Sequence, residues 1–210
     1  MKILNIVAGA TLFASTLGCF SQSAVRCGQP LDATLRRGAD LTIASLSTDI
    51  EVVGTDQETI HVSCRADDPN TTNDIRIRFS GTADNAKLTI TGDRAGHHNL
   101  HLRVEVPRKI NLALQMPAGA VQVDDIVGNK DIVLTAGAIA ISSDHDWDYR
   151  DVNASVGIGA VNAQVYGANK GGFFRVFHKQ NASGAYRLHA HVMTGQIELL
   201  GKNANGVAEE

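Results

Sequence analysis

The chain has 210 residues, of which 43% are hydrophobic and 20% charged, and its formal net charge is −3. Near-neutral charge disfavours nucleic acid as a partner, because phosphate contacts need clustered Lys and Arg, and the hydrophobic content excludes a disordered chain. The length fits one domain with a substantial core. The 20 glycines, only 4 prolines and many β-branched residues favour short strands joined by tight turns.

The amino terminus has the pattern of an export signal. Met1 and Lys2 precede an apolar run at 3–18, which is shorter than the ~20 residues that a membrane-spanning helix needs. We therefore expect residues 1–18 to be a signal peptide. Residues 16–19, Thr-Leu-Gly-Cys, resemble the lipobox of bacterial lipoproteins apart from the threonine, which makes Cys19 a candidate lipidation site. Ordinary cleavage near residue 23 is the alternative.

The three cysteines are Cys19, Cys27 and Cys64. If Cys19 is lipidated or removed with the leader, an even pair remains. Because an exported protein meets an oxidising compartment, we predict a Cys27–Cys64 disulfide that closes a loop of about 38 residues. A catalytic cysteine is not expected, since His61 is the one base close to Cys64 in the sequence.

From residue 31 onward, apolar and polar residues alternate, which is typical of half-buried strands. The clearest run is 100–106, where the alternation is strict until Pro107, a residue that cannot donate to a strand ladder. Shorter runs of the same kind predict strands at 41–43, 50–52, 60–62, 75–79, 88–90 and 110–114.

A short unit recurs in the second half of the chain. A small residue and a glycine are followed by a small or polar residue and by aliphatic residues at alternate positions, around Gly119, Gly137, Gly157 and Gly195. Residues 47–52 form an earlier copy without glycine. We predict a tight turn at each glycine and then a strand, and stacking of the copies as a β-solenoid-like domain or sheet roll. A β-sandwich is the alternative.

The run Val-Glu-Val-Pro at 104–107, the strand from Ile110 and the serial glycine turns resemble the bacterial family of putative adhesin domains, over residues 41–200. The resemblance implies an all-β strand-repeat fold at the cell envelope, and it implies no catalytic residues. The usual family unit carries Gly-Asp-Ile, whereas Ala120, Ala138 and Gln196 stand at the aspartate position here. No role of an acidic turn residue is therefore transferred.

Two segments carry residue types that bind metals. Residues 144–151 have the first aspartate spacings of a calcium loop, but Tyr149 stands where that loop needs glycine and Ser155 where it needs glutamate, so a solvated connection is predicted. His189 and His191 would share one side of a strand. Zinc needs three or four ligands, and the sequence identifies no third, so we predict a surface ladder with no metal and no cofactor.

Residues 171–177, Gly-Gly-Phe-Phe-Arg-Val-Phe, interrupt the repeat. They form the most hydrophobic and β-prone window after the leader, and we predict a buried strand. At a sheet edge, the same segment would be open to pairing with a partner or a second copy.

These patterns predict one all-β domain at 27–201 and a flexible tail at 202–210. The expected function is that of a non-catalytic exported protein, in the periplasm, anchored to the envelope membrane or at the cell surface, which binds a protein or polysaccharide or acts as a scaffold. No Gly-x-Ser-x-Gly, His-Glu-x-x-His or P-loop motif is present. One alternative is a carbohydrate-processing enzyme on a β-helix, which needs a row of Asp, Glu or Arg along successive coils. Another is a periplasmic metal-binding protein that uses His189 and His191.

Overall fold

The computed structural model describes residues 20–21, 24–66, 74–92, 100–143 and 148–201. The predicted leader, Cys19 and the predicted tail lie outside these residues. The strands are β1 (Phe20–Ser21), β2 (Val25–Arg26), β3 (Leu31–Thr34), β4 (Asp40–Ala44), β5 (Thr48–Thr55), β6 (Thr59–Ala66), β7 (Arg76–Gly81), β8 (Asn85–Thr91), β9 (Leu100–Pro107), β10 (Asn111–Asp124), β11 (Lys130–Ser143), β12 (Tyr149–Ala163), β13 (Ala168–Gln180) and β14 (Tyr186–Gly201).

All fourteen strands belong to one mixed sheet, so the predicted all-β class is confirmed. The main path of the sheet runs β1-β7-β8-β4-β10-β11-β14-β12-β13. A short 3₁₀ helix, Gln164–Tyr166, joins β12 to β13. Within the described ranges, no helix has the length and apolar content needed to cross a membrane.

The sheet divides at β10. Its first half, from Asn111 to Gln115, pairs with β4, and its second half, from Gly119 to Asp124, pairs with β5. One branch continues from β4 to β8 and β7, and the other from β5 to β9, β6 and β3. Alternate residues of both branches enter a single hydrophobic core. The two branches therefore pack as the two layers of a sandwich.

The strands from β10 onward bend back on themselves. β10 and β11 pair in parallel along their length, from Leu112 with Lys130 to Asp124 with Ser142. A straight strand of 14 residues would be about 45 Å long, whereas the connection at 125–129 can span only about 20 Å. Each strand must therefore bend so that its end returns close to its start, and it forms most of one turn of a solenoid, which we call a coil. The solenoid-like roll and the sandwich, which the sequence left as alternatives, thus occupy different parts of one sheet.

A row of glycines forms the bend. Gly119, Gly137, Gly195 and Gly159 lie in register on four neighbouring strands, and their φ angles lie between 130° and 146°. A Cβ on Gly137 would overlap the carbonyl oxygen of Gly119, and each of the others would meet an equivalent backbone oxygen. Glycine is required here for both conformation and space. The turn predicted before each strand is thus a corner inside one long strand.

In β12 the corner glycine is Gly159, whereas the sequence pattern indicated Gly157. Gly157 lies outside the row, and a Cβ on it would stand 2.6 Å from the carbonyl oxygen of Met193. Ile158, which follows Gly157, is 50% exposed at the corner, and the buried residues of β12 after the corner are Val161 and Ala163.

The strand order in the coil region differs from the chain order. β12 and β13 form an antiparallel hairpin at the end of the sheet. β14 then returns between β11 and β12 and pairs in parallel with both. β13 is therefore left as the last strand on the path.

Candidate functional site

In-register pairing places outward side chains in rows across the strands. One row contains Arg103 on β9, Glu51 on β5, Gln122 on β10 and Glu198 on β14, with Ala140 between the last two. Because successive strands are about 4.8 Å apart, side chains in such a row can contact one another directly. The rows thus form the polar outer surface of the sheet.

Arg103 lies at the centre of a charged cluster on this surface. Its guanidinium donates to Glu51 Oε1 at 2.5 Å and to Glu105 Oε1 at 3.0 Å. The hydrogen bond to Glu51, followed by that to Glu105, raises the pKa of Arg103 above its ordinary value. The three side chains are 37–45% exposed, so solvent screens the pairs. The cluster therefore holds its charges in a fixed arrangement more than it stabilises the fold.

A shallow groove of about 610 Å³ lies beside this cluster. We call it the first groove, and its polar residues include Asp49, Glu51, Arg65, His101 and Arg103. Asp49 Oδ1 accepts from the amide of Ala120 at 3.1 Å, and Asp49 Oδ2 lies 3.7 Å from His101 Nδ1. The strands β5, β6, β9 and β10 hold these groups in place.

A second groove of about 610 Å³ lies on the other half of the bent strands. Asn111 links β10 to β4 and to the segment before β11. Its amide donates to Asp40 Oδ1 at 2.8 Å, and its Oδ1 accepts from the backbone and side chain of Asn129 at 3.0 Å. Asn129 in turn accepts from the amide of Arg187 at 2.9 Å. These side chains are occupied in linking neighbouring strands, so the second groove is the weaker candidate for a ligand.

The two cysteines selected from the sequence form a disulfide, Cys27–Cys64, with 5.0 Å between the Cα atoms. Cys64 lies on β6 and lines the first groove. The amide of Gly28 donates to the carbonyl of Cys64 at 3.2 Å. The disulfide therefore ties the segment after β2 to the wall of the groove.

His189 and His191 contact different neighbours. Nδ1 of His189 lies 2.7 Å from Asp131 Oδ1, and Nδ1 of His191 lies 2.9 Å from Ser155 Oγ. Among the residues that the structure describes, no three or more His, Cys, Asp or Glu side chains are grouped closely enough to hold a metal ion. In the calcium-like segment, residues 144–147 lie outside the described chain, and Asp151 bonds Nε2 of His178 at 2.8 Å.

The row at which the adhesin-like unit usually carries aspartate is mostly uncharged in the described strands. It starts at Asp49 on β5 and continues as Ala120, Ala138, Gln196 and Ala160 on the following strands. One carboxylate in five positions does not form the paired acid and base that glycoside hydrolysis requires.

Lys130, which no sequence pattern singled out, is only 2% exposed. Its ammonium donates to the carbonyl of Ile126 at 2.7 Å and to the hydroxyl of Tyr149, and it lies 4.7 Å from the centre of the Tyr149 ring. Strand alternation could have found it, because Lys130 shares the inward side of β11 with Ile132 and Leu134. A buried lysine at this position fixes the beginning of β11 against β12.

The prediction that residues 171–177 are buried is wrong. They lie on β13, where Phe173 is 66% and Phe174 83% exposed, and only Phe177 enters the core. The hydrophobicity of the segment indicated a core strand. Because β14 pairs between β11 and β12 and not beside β13, β13 is left at the edge of the sheet.

No family model matches this sequence, and no curated protein does. Solved structures are similar to it. A putative cell adhesion protein from Clostridium sporogenes has a TM-score of 0.50 and 11% identity, and the match covers 83% of this chain and 99% of that chain. Putative adhesins from Bacteroides fragilis (9% identity, 55% of this chain and 57% of that one) and Parabacteroides distasonis (13%, 55% and 58%) both have a TM-score of 0.30.

These similarities concern the fold. Nearly the whole length of the Clostridium structure matches this chain. The sequence identity of 11% is too low for residue roles or activity to be transferred from it. The resemblance to bacterial putative adhesin domains that the sequence indicated is confirmed at the level of the fold.

Proposed function

We propose that this protein is a non-catalytic binding domain of the bacterial cell envelope or surface, and that it holds an extended polar ligand, a protein or polysaccharide, along the first groove. The observation that carries the proposal is the cluster of Arg103, Glu51 and Glu105 beside an open groove. Charges already held in place lose little conformational freedom when a ligand binds. A shallow groove that crosses four strands suits an extended chain better than an enclosed small molecule.

Two findings support the location. The Cys27–Cys64 disulfide is typical of an oxidising compartment outside the cytoplasm. The fold is similar to that of a putative cell adhesion protein. The export signal at 1–18, with lipidation at Cys19 or cleavage near residue 23, remains part of the proposal, as do the domain limits 27–201.

The binding test compares the native protein with Arg103→Glu on immobilised cell-wall polysaccharides and extracellular-matrix proteins. We expect saturable binding to at least one of them and a loss of about tenfold or more in the variant, because the reversed charge repels Glu51 and Glu105 and disperses the cluster. Arg36→Glu is the matched control, since Arg36 is also exposed and paired with an acid, Asp84 at 3.0 Å, but lies outside the groove. Equal binding by both variants would contradict the assignment of the groove.

Catalysis and export have their own tests. Mass spectrometry of each bound polysaccharide after long incubation should show an unchanged ligand, and robust turnover would replace the binding proposal with the enzyme alternative. Intact mass spectrometry of unreduced protein from membrane and soluble fractions should show a chain that begins at Cys19 with acyl groups, or one that begins near Ser23. A chain that keeps Met1 in both fractions would overturn the export proposal.

A further inference from the structure

All five large hydrophobic side chains that are exposed in the described part of the chain lie on three neighbouring strands. They are Ile158 on β12 (50% exposed), Phe173 (66%), Phe174 (83%) and Val176 (50%) on β13, and Met193 on β14 (56%). We call these five residues the edge patch. Exposed apolar residues scattered singly are normal in proteins, whereas a contiguous group marks a surface that meets another phase or molecule.

The pairing of the strands gathers the edge patch around the corner of β12. Ile158 is registered with Phe173, and registered neighbours have Cβ atoms about 5 Å apart. Phe174 and Met193 lie on either side of Gly157, one residue from the pairs that Ile158 makes with Phe173 and Thr194. Val176 lies opposite Ser155, a few residues further along the same hairpin.

Phe174 is held in an unusual conformation. Its φ angle is 49°, in the left-handed region that bulky residues rarely adopt. The side chain is 83% exposed, so no burial within this chain compensates for the conformation. Such backbone conformations concentrate where a side chain is positioned for a function.

The strand that carries most of the edge patch is basic. Residues 168–180 contain Lys170, Arg175 and Lys179 and no Asp or Glu, although the whole chain has a net charge of −3. His178 on the same strand is paired with Asp151 of β12. The patch therefore combines exposed aromatic rings with three cations, and this charge is complementary to an anionic partner.

The hydrogen bonds of β13 disfavour another strand as that partner. Lys170 Nζ donates to the carbonyl of Val176 at 2.9 Å, and Arg175 Nε donates to the carbonyl of Gly171 at 2.8 Å. A lysine or arginine that occupies strand carbonyls is a way of protecting an open edge. Pairing of β13 with a second copy would also bring like charges together, which is unfavourable.

We propose that the edge patch attaches the protein peripherally to an anionic lipid bilayer. Phe173 and Phe174 enter the boundary between headgroups and acyl chains, and Lys170, Arg175 and Lys179 lie near the lipid phosphates. Aromatic rings and cations in this arrangement bind membrane interfaces through buried apolar area and attraction to anionic headgroups. This site is separate from the first groove, because the groove is lined by residues of β5, β6, β9 and β10 and the edge patch lies on β12, β13 and β14.

The first test is sedimentation with vesicles, using the protein as the cell processes it. We expect stronger binding to vesicles of phosphatidylcholine with phosphatidylglycerol than to phosphatidylcholine alone, and at least about tenfold weaker binding by Phe173→Ser/Phe174→Ser. Arg175→Glu/Lys179→Glu should remove the preference for anionic vesicles. Arg36→Glu/Arg37→Glu, on exposed arginines away from β13, is the matched control and should bind like the native protein apart from the smaller general effect of net charge.

A second test does not depend on the stability of those variants. Phe174→Trp keeps an aromatic ring at the same position, and its fluorescence, after subtraction of the native chain with Trp147, should be quenched by brominated acyl chains. No quenching, or vesicle binding by a folded Phe173→Ser/Phe174→Ser variant equal to that of the native protein, would overturn the proposal and leave a protein as the partner of the patch.

Discussion

The carbonyl oxygen of Gly119 occupies the space in which a side chain on Gly137 would begin. The same relationship repeats from strand to strand, so the corner of each coil is packed backbone against backbone. The glycines that define the sequence repeat are thus the points at which neighbouring coils approach most closely.

Gly137→Ala is expected to lower the free energy of unfolding by at least about 3 kcal/mol, because the Cβ overlaps backbone and the φ of 130° is unfavourable for alanine. Urea denaturation followed by circular dichroism measures the change. Gly171→Ala is the matched control, since no atom lies within 4 Å of its added Cβ, and it should change stability by less than about 1 kcal/mol. Equal effects of the two substitutions would contradict the role of the corner row.

Removal of the disulfide should destabilise the domain without changing its fold. Cys27 and Cys64 are separated by 37 positions, and the chain-entropy model predicts a loss of about 3 to 4 kcal/mol for Cys27→Ser/Cys64→Ser. The measurement is urea unfolding, with and without reductant, of the native protein and of the Cys27→Ser/Cys64→Ser variant. Reductant should affect only the native protein, and a stability unchanged by reduction would refute the expectation.

Lys130 and Tyr149 should be energetically coupled. Tyr149→Phe leaves the buried ammonium with one hydrogen-bond partner fewer, and we expect a cost of about 1 to 3 kcal/mol. In a Lys130→Met background the same substitution should cost less, because the ammonium is absent. A double-mutant cycle from thermal or urea unfolding tests this, and additive effects would show that the contact contributes nothing specific.

The charged cluster should contribute little to stability and depend on salt. Arg103→Gln is expected to cost about 0.5 kcal/mol at low ionic strength, since the pairs are exposed, and almost nothing at ~1 M salt. Because folding raises the pKa of Arg103, its contribution, at any pH at which Glu51 and Glu105 are ionised, is lost only as the pH rises through that raised pKa. A loss of several kcal/mol that persists at high salt would show a structural role instead.

The sequence predicted the strands well wherever apolar and polar residues alternate. The alternation at 100–106 predicts β9 correctly, because inward and outward positions follow directly from strand geometry. The pattern was less informative at 156–161, because this copy of the unit contains two glycines, Gly157 and Gly159, and either could be the corner. The strand predicted at 110–114 is longer in the structure, because β10 continues through Pro117 and the corner of the coil.

The candidate sites depended on long-range pairing that the repeat does not encode. The first groove combines residues from β5, β6, β9 and β10, and no local pattern places Glu51 beside Arg103. The exposed position of Phe173 and Phe174 follows from strand order, which cannot be inferred when the copies of a repeat are so similar. Composition identified the hydrophobic segment, and only the topology showed that it faces solvent.

The position of β14 sets the order in which the domain can be completed. β14 follows every other described strand along the chain, yet it lies between β11 and β12 and pairs with both. A chain synthesised from its amino end therefore keeps the facing edges of β11 and β12 unsatisfied until the final strand emerges. During that interval the nascent coil exposes two strand edges that can pair wrongly, so the growing chain depends on rapid arrival of its last strand to avoid aggregation.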